Sequence, residues 1–416
     1  MGVCMAELDE TRNRRKGLRV ALISLLALGL ALSGTGCSAV GESPAPGAAE
    51  TSTATTAPPS TTPAVPVQTL VSPATGTVSV NPATEVNAMV TNGTVAKAVL
   101  EEQATGTPVA GELVVSNRKW ISKEPLKFGT DYVFSVTAQD TAGTKTTTYS
   151  SFSTVAASHE ADAWVYPAEG ATVGVGQPLE FNFSEPVINK EAVEKAITIT
   201  SSTGQQGAFR WYSDTKVRYR GADYWPANSK LTVQMALFGT DIGNGMIYNA
   251  NKSYEVNIGN KVIMEADAAN MSVSILINDQ VAKTFPASMG DERFPSASGF
   301  MVITADKQRY ATFKASTIGL KPGDPGDYGS VDVEFATRLS NSGIFIHQAT
   351  PYAIPYLGVT NLSHGCIGLS HEGAGWVFEN MRPGDLVHTV GTPNDTIHPT
   401  DGYGDWNFAF KDYASR

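Results

Sequence analysis

The stretch "SPATGTVSV", from Ser72 to Val80, recurs as "YPAEGATVGV" from Tyr166 to Val175. Pro73 and Pro167 hold matching places in the two copies, 94 residues apart. In the sequence that follows each copy, apolar residues alternate with polar ones between turns rich in Gly, Pro, Asn and Asp. This period of two is typical of a strand with one buried face. The repeat therefore predicts two similar all-β units, one after the other.

Each unit contains several short strands of this kind. The residues predicted to face a core are Tyr132, Phe134, Val136 and Ala138 in the first unit, and Leu179, Phe181, Phe183, Leu231, Val233, Met235 and Leu237 in the second. Many short strands in units of this length are typical of immunoglobulin-like β-sandwiches, which we place at residues 67–157 and 158–260. A single helix is predicted in "NKEAVEKAI", with Asn189 as its N-cap.

A third unit, predicted at residues 261–390, is also mainly β. Its first strands alternate in "MSVSILIND", and its one clear helix is "HEGAGWVFENM". A polar loop from Gly319 to Ser330 is long for a compact domain, and such loops are usually functional. The tail, residues 391–416, is predicted to be irregular. Its aromatic residues favour packing on the preceding domains; they are Tyr403, Trp406, Phe408, Phe410 and Tyr413.

The N-terminus has the pattern of an export signal. The basic "TRNRRKGLR" precedes the apolar run Val20 to Leu32, which is followed by "SGTGC". The run is shorter than the ~20 residues that a spanning helix needs. The ending on Cys37 resembles a bacterial lipobox, although Gly34 stands where an aliphatic residue is usual. An uncleaved membrane anchor and ordinary secretion are therefore the alternatives to lipidation. We predict a signal at residues 1–37, a lipid on Cys37, and a localisation on the outer face of the cytoplasmic membrane.

Residues 38–66 are mostly Ser, Thr, Pro and Ala, and this composition predicts an extended tether. The whole chain has a formal net charge of −10 at pH 7. An acidic balance of this kind argues against nucleic acid as a partner.

The cysteines single out one position. The chain has three, Cys4, Cys37 and Cys366. With Cys4 in the leader and Cys37 lipidated, Cys366 is the only thiol in the mature chain and has no partner for an intramolecular disulfide. A thiol needs a base to become a nucleophile, and five of the six histidines lie between His347 and His398, the stretch that contains Cys366.

Cys366 lies in "LSHGCIGLS". His347 ends the strand "SGIFIH", and His364 lies two residues before the thiol. Gly365, between His364 and Cys366, permits a tight turn that could direct backbone amides at a developing oxyanion. The spacing alone leaves three readings open: a Cys/His catalytic pair, a buried structural cysteine, or a zinc site that also uses His371. Loosely spaced ligands match no structural zinc pattern, and the solitary thiol favours catalysis.

His347, fifteen further residues and then Ser363-His364-Gly365-Cys366-Ile367 resemble the signature of the L,D-transpeptidases, whose catalytic module is the YkuD domain. The stretch "TFPASMGDERFPSASGFMVI" is similar to the early strands of that module. The immunoglobulin-like units before it and the "DGYGDWN" tail resemble the mycobacterial-type members.

The resemblance implies an acyl transfer on peptidoglycan. Cys366 would attack the carbonyl between meso-diaminopimelate and the terminal D-alanine of a stem tetrapeptide, releasing D-alanine and leaving a thioester. The side-chain amine of a second stem's meso-diaminopimelate would resolve the thioester to a 3→3 cross-link. Carbapenem β-lactams are the implied inhibitors, and neither metal nor cofactor is implied. An L,D-carboxypeptidase or a weakly active wall-binding scaffold are the alternatives.

Roles for single residues follow from the same resemblance. His347 is the implied general base, oriented by the backbone carbonyl of Gln348, and His364 a second imidazole beside the thiol. Gly365 and Cys366 would supply oxyanion amides. The implied substrate-binding residues are Tyr328, Ser363, Gln348 and Tyr352.

Two positions depart from the family pattern: Gln348 replaces a Ser, and Gly368 replaces an Asn. Because Gln348 is implied to act through its backbone carbonyl, its change should be mild. Gly368 removes an amide expected to hold the active-site loop, so we expect substrate preference or rate to differ.

Overall fold

A computed structural model describes residues 65–415, and within them strands dominate. The predicted signal, Cys37 and nearly all of the tether lie outside the described residues. Among residues 65–415, no helix is both long enough and apolar enough to cross a membrane. The predicted fold class, two immunoglobulin-like sandwiches followed by a β-rich catalytic domain, is confirmed.

The first sandwich consists of two four-stranded sheets, ordered β1-β2-β6-β5 and β4-β3-β7-β8. Its core is built by alternation, as in β7, where Tyr132, Phe134, Val136 and Ala138 are all buried. The strands are β1 (Gln68–Ser72), β2 (Asn87–Thr91), β3 (Gly93–Glu102), β4 (Pro108–Val109), β5 (Gly111–Val114), β6 (Lys119–Ser122), β7 (Asp131–Asp140) and β8 (Lys145–Ser153).

The second sandwich pairs the sheet β10-β12-β15-β14 with β11-β19-β16-β13, and a small sheet β17-β18-β9 lies beside them. Asn189 caps the predicted helix α1 (Lys190–Ala196), its side chain accepting from the Ala192 amide. The strands are β9 (Glu160–Ala161), β10 (Ala163–Tyr166), β11 (Thr172–Val173), β12 (Leu179–Phe183), β13 (Ile197–Ser201), β14 (Gly207–Ser213), β15 (Lys216–Gly221), β16 (Lys230–Met235), β17 (Asp241–Gly243), β18 (Met246–Tyr248) and β19 (Lys252–Ile258).

The third unit is a nine-stranded sheet, ordered β23-β28-β20-β21-β22-β27-β26-β25-β24. The predicted helix α2 (His371–Asn380) covers one face, with Ser370 as its N-cap. The strands are β20 (Val262–Asp267), β21 (Ser272–Ile277), β22 (Gln280–Ser288), β23 (Gly299–Val302), β24 (Lys307–Lys314), β25 (Ser330–Arg338), β26 (Phe345–Gln348), β27 (Ile367–Leu369) and β28 (Leu386–Val390).

The tail contacts the second sandwich through arginine side chains. Arg218 on β15 pairs with Glu180 on β12 and with Asp405 of the tail, and its guanidinium lies 4.5 Å from the Tyr403 ring centre. The prediction of an irregular tail is wrong in part, because Phe410–Ala414 form a short helix, α3. Tyr413 is fully buried, which explains the helix: tertiary packing of its ring stabilises a turn too short to persist alone.

Candidate active site

Two parallel strands bring the candidate residues together. Ile346 on β26 pairs with Ile367 on β27, and His347 pairs with Gly368. Ile346 and Ile367 point into the main core of the catalytic domain. Because side chains alternate along a strand, His347 and the residue just before β27, Cys366, face the opposite side of the sheet.

The Cys366 side chain lies in a small apolar cluster on that side. It is 2% exposed and packs in the same cluster as Phe313 and Phe345. Its Sγ donates to the backbone carbonyl of Gly343 at 3.8 Å, a distance normal for a weak sulfur donor. Because the attacking species of a cysteine nucleophile is the thiolate, this thiol needs a neighbouring base to take its proton.

The His347 ring is held in one tautomer. Its Nδ1 lies 2.7 Å from the Gln348 backbone carbonyl, which can only accept, so Nδ1 carries the proton. Nε2 is therefore the basic nitrogen. The Phe313 ring packs edge to face against it, with 5.2 Å between the ring centres. Burial lowers the pKa of His347 to about 4, which keeps the imidazole neutral at pH 7 and its Nε2 lone pair unprotonated.

His364 lies in the same region but makes a different contact. Its Nε2 donates to the carbonyl of Gly326 in the Gly319–Ser330 loop at 2.7 Å. The Tyr328 ring of that loop lies 4.9 Å from the His364 ring, and the Phe294 ring lies 4.4 Å from it on another side. This hydrogen bond holds the Gly319–Ser330 loop against the site, and it uses His364 Nε2 as a donor.

The turn from Ser363 to Cys366, which contains His364, is closed by the Ser363 side chain. Ser363 Oγ donates to the Cys366 carbonyl at 2.6 Å and accepts from the Gly365 amide at 3.1 Å. Gly365 has φ +111°, a conformation that residues with a Cβ rarely adopt. Because the Gly365 amide already donates to Ser363 Oγ, it could bind an oxyanion only through a second, bifurcated hydrogen bond.

A cavity of about 630 Å³ opens over these residues. His347 and Cys366 line its floor. Tyr328 lines it from the loop side, and Tyr352, 73% exposed, lies at its rim. Among residues 65–415, Arg293 is the one Lys or Arg side chain in its lining, and it pairs with Asp291 at 2.6 Å. The volume is typical of a site for an extended small ligand.

The two departures from the family pattern lie side by side. Gln348 uses its backbone carbonyl on His347 and its side-chain Oε1 on His371 Nδ1, at 2.9 Å. Gly368 lines the cavity, and a Cβ there would lie 3.2 Å from the Ser288 carbonyl. The active-site loop is held by other groups: Asn361 binds the Met289 amide and the Ala268 carbonyl, both at 2.8 Å.

The structure also brings in residues that the sequence reasoning missed. Phe313 shields His347, Gly343 accepts from the thiol, and Ser296 binds the Gly365 carbonyl at 2.9 Å. None of them carries a local signal, because each acts across a long separation in sequence. Within residues 65–415, no group of three or more His, Cys, Asp and Glu side chains is placed to hold a metal ion.

Comparison with known proteins gives two family matches. Residues 77–241 match a bacterial Ig domain, and residues 261–389 match an L,D-transpeptidase catalytic domain. L,D-transpeptidase 2 of Mycobacterium tuberculosis is 33% identical over 310 residues, which are 74% of this chain and 75% of that protein. L,D-transpeptidase 5 of the same species is 28% identical over 341 residues, 80% of this chain and 73% of its own.

Among solved structures, an L,D-transpeptidase in complex with imipenem is 29% identical and gives a TM-score of 0.47. It covers 55% of this chain and 97% of its own.

Proposed function

This chain belongs to the L,D-transpeptidase family, and from that premise we propose how its own residues perform the reaction. The protein is a peptidoglycan L,D-transpeptidase, a cysteine acyltransferase that joins stem peptides. The proposal assigns Cys366 as the nucleophile and His347 as its base. The cavity above them would hold the donor stem.

The first half of the reaction forms the thioester. His347 Nε2 takes the thiol proton as Sγ attacks the carbonyl between meso-diaminopimelate and D-alanine. The tetrahedral oxyanion then collapses, and the carbon–nitrogen bond breaks. The proton on His347 passes to the departing amine. D-alanine leaves, and the donor stem stays on Cys366 as an acyl group.

The second half consumes the thioester. The side-chain amine of a second meso-diaminopimelate, in its neutral form, attacks the acyl carbon and gives its surplus proton to His347. Collapse of the second intermediate breaks the carbon–sulfur bond, and the proton returns to the thiolate. The product is a 3→3 cross-link, and the enzyme regains its starting state.

One observation carries this proposal: the hydrogen bond between His347 Nδ1 and the Gln348 carbonyl, at 2.7 Å. It fixes the proton on Nδ1 and leaves the lone pair on Nε2, which is the state a base requires. Burial keeps that state populated at neutral pH by lowering the pKa of His347. The thiol on the adjacent strand faces the same cavity.

The experiment supplies a stem tetrapeptide as donor and an isotope-labelled acceptor stem. Labelled, cross-linked dimer together with released D-alanine is the expected result. Tripeptide without dimer would instead identify an L,D-carboxypeptidase, in which water resolves the thioester. Cys366→Ala is the control and should form neither product. A wild-type protein that releases no D-alanine would leave only the wall-binding scaffold.

The remaining site residues are proposed to bind and position substrate. Tyr328 would cover the donor stem from the loop, and Tyr352 would contact it at the rim of the cavity. Ser363 and Gln348 would act indirectly, by holding the turn and the His347 ring. His364 would keep the loop closed through Gly326, which supports placing it beside the thiol without making it the base.

Because peptidoglycan lies outside the cytoplasmic membrane, the enzyme acts in the compartment of the cell wall. We further propose that residues 1–37 are a signal, that Cys37 is lipidated, and that residues 38–66 tether the domains at 67–157, 158–260 and 261–390 and the tail at 391–416. Cys37→Ala should move the protein from the membrane fraction to the soluble fraction. Unchanged membrane association of that variant would contradict the lipid anchor.

A further inference from the structure

Ser296 is a buried serine whose hydroxyl makes two directed hydrogen bonds. It is 2% exposed and lies on the segment that leads into β23. Its Oγ accepts from the Gly290 amide at 3.0 Å and lies 2.9 Å from the Gly365 carbonyl oxygen. Since an amide can only donate and a carbonyl can only accept, the single hydroxyl proton points at Gly365.

This bond fixes the plane of the peptide between Gly365 and Cys366. The two cis peptide bonds among the described residues precede Pro73 and Pro167, so this peptide is trans. In a trans peptide the C=O and N–H groups point in opposite directions. A carbonyl held toward Ser296 therefore turns the Cys366 amide away from Ser296.

The direction matters because the two residues joined by this peptide line different cavities. Gly365 lines a cavity of about 490 Å³ together with Pro295 and Ala297, the chain neighbours of Ser296. Cys366 lines the 630 Å³ cavity with His347. The Cys366 amide is thus directed to the side from which the acyl carbonyl approaches the thiol.

We propose that Ser296 is a positioning residue for the oxyanion hole: by holding the Gly365 carbonyl, it sets the direction of the Cys366 amide, which the family pattern implies as an oxyanion donor. The inference rests on the proposed acyl transfer through Cys366. Ser296 touches neither substrate nor thiol. Its effect is to hold one donor in place before the charge develops, which is where such donors gain their catalytic advantage.

The test compares two reactions of the same thiol. Acylation by a carbapenem passes through an oxyanion, whereas alkylation by iodoacetamide displaces iodide and forms none. Both need His347 to take the proton. Ser296→Ala should slow acylation on the order of tenfold or more. Removal of a direct oxyanion donor lowers kcat about 10²–10³-fold, and in this variant the amide donor is still present but is no longer held in one direction. Alkylation should stay within about twofold of the wild-type rate.

Two further variants make the result specific. Ser296→Thr keeps the hydroxyl and should restore most of the acylation rate. Ser288→Ala is the matched control, because Ser288 Oγ likewise accepts from one backbone amide, that of Leu362, and donates to one carbonyl, that of Thr360, in the segment just before Ser363. Its ratio of acylation to alkylation should stay near the wild-type ratio.

Equal losses of acylation and alkylation in Ser296→Ala would overturn the inference, because they would mean a general loosening of the loop. An unchanged acylation rate would overturn it too. Neither result would touch the proposed function, provided that wild-type protein is acylated. Failure of the wild type to acylate at all would refute the proposed function itself.

Discussion

Replacement of Arg218 by Met should separate the tail from the second sandwich at a large cost in stability. Arg218 is 3% exposed, and its guanidinium binds Glu180 and Asp405, each at 2.8 Å. It also donates to two tail carbonyls, those of Pro399 and Gly402, at 2.8 and 2.9 Å. Methionine fills similar space but leaves Asp405, which is fully buried, without its cation.

The magnitude follows from this arrangement. Removing one partner of a buried ion pair costs about 3–5 kcal/mol, because the remaining charge stays desolvated. Urea unfolding at pH 7, followed by tryptophan fluorescence, should show a loss in this range. Limited proteolysis should cut the tail of the variant before that of the wild type.

The matched control is Arg210→Met. Arg210 also reaches the tail, through the carbonyls of Asp412 and Tyr413 at 2.8 and 3.2 Å, but no carboxylate pairs with it among the ion pairs of the described residues. Its loss should cost about 1.5 kcal/mol, the low end for hydrogen bonds that involve a charged group, because Arg210 is only partly buried. An Arg218→Met cost below 1 kcal/mol, or one equal to that of Arg210→Met, would refute the reasoning.

Two other predictions concern the site. The pKa of His347 is lowered to about 4 by burial, so its contribution to stability is complete above pH 6.5 and is lost as the pH falls toward 4. Between pH 7 and 4.5, the free energy of unfolding of the wild type should fall by about 2 kcal/mol more than that of His347→Gln, measured by urea unfolding at both pH values. Equal falls in the two proteins would contradict a neutral, buried imidazole. Gly368→Asn would bring a Cβ to 3.2 Å from the Ser288 carbonyl and should cost about 1–2 kcal/mol by overpacking. Thermal melting checks this cost, and stabilisation would instead mean that the loop lacks an amide tether.

The strands and helix caps were predictable because their signals are local. Alternation in β7 and β12, and the capping side chain of Asn189, each depend on residues within one element. The helix α3 escaped prediction because the packing of Tyr413 against the second sandwich stabilises it, and no pattern within the tail records that contact.

The candidate site divides in the same way. The motif around Cys366 and its spacing from His347 are visible in the sequence, and so is the glycine that the tight turn needs. The partners of the site are not visible. His364 meets Gly326 across 38 residues, and Ser296 meets Gly365 across 69. Such contacts are set by how strands pair in the nine-stranded sheet, and the chain gives no local sign of them.

Reaction with an acylating inhibitor tests directly whether the Cys366 thiol is the nucleophile. Intact mass is recorded after the protein is incubated with a carbapenem at neutral pH. We expect one adduct per chain in the wild type, slower formation in His347→Ala, and none in Cys366→Ala. A wild type that gains no mass, or an adduct that persists in Cys366→Ala, would contradict this expectation.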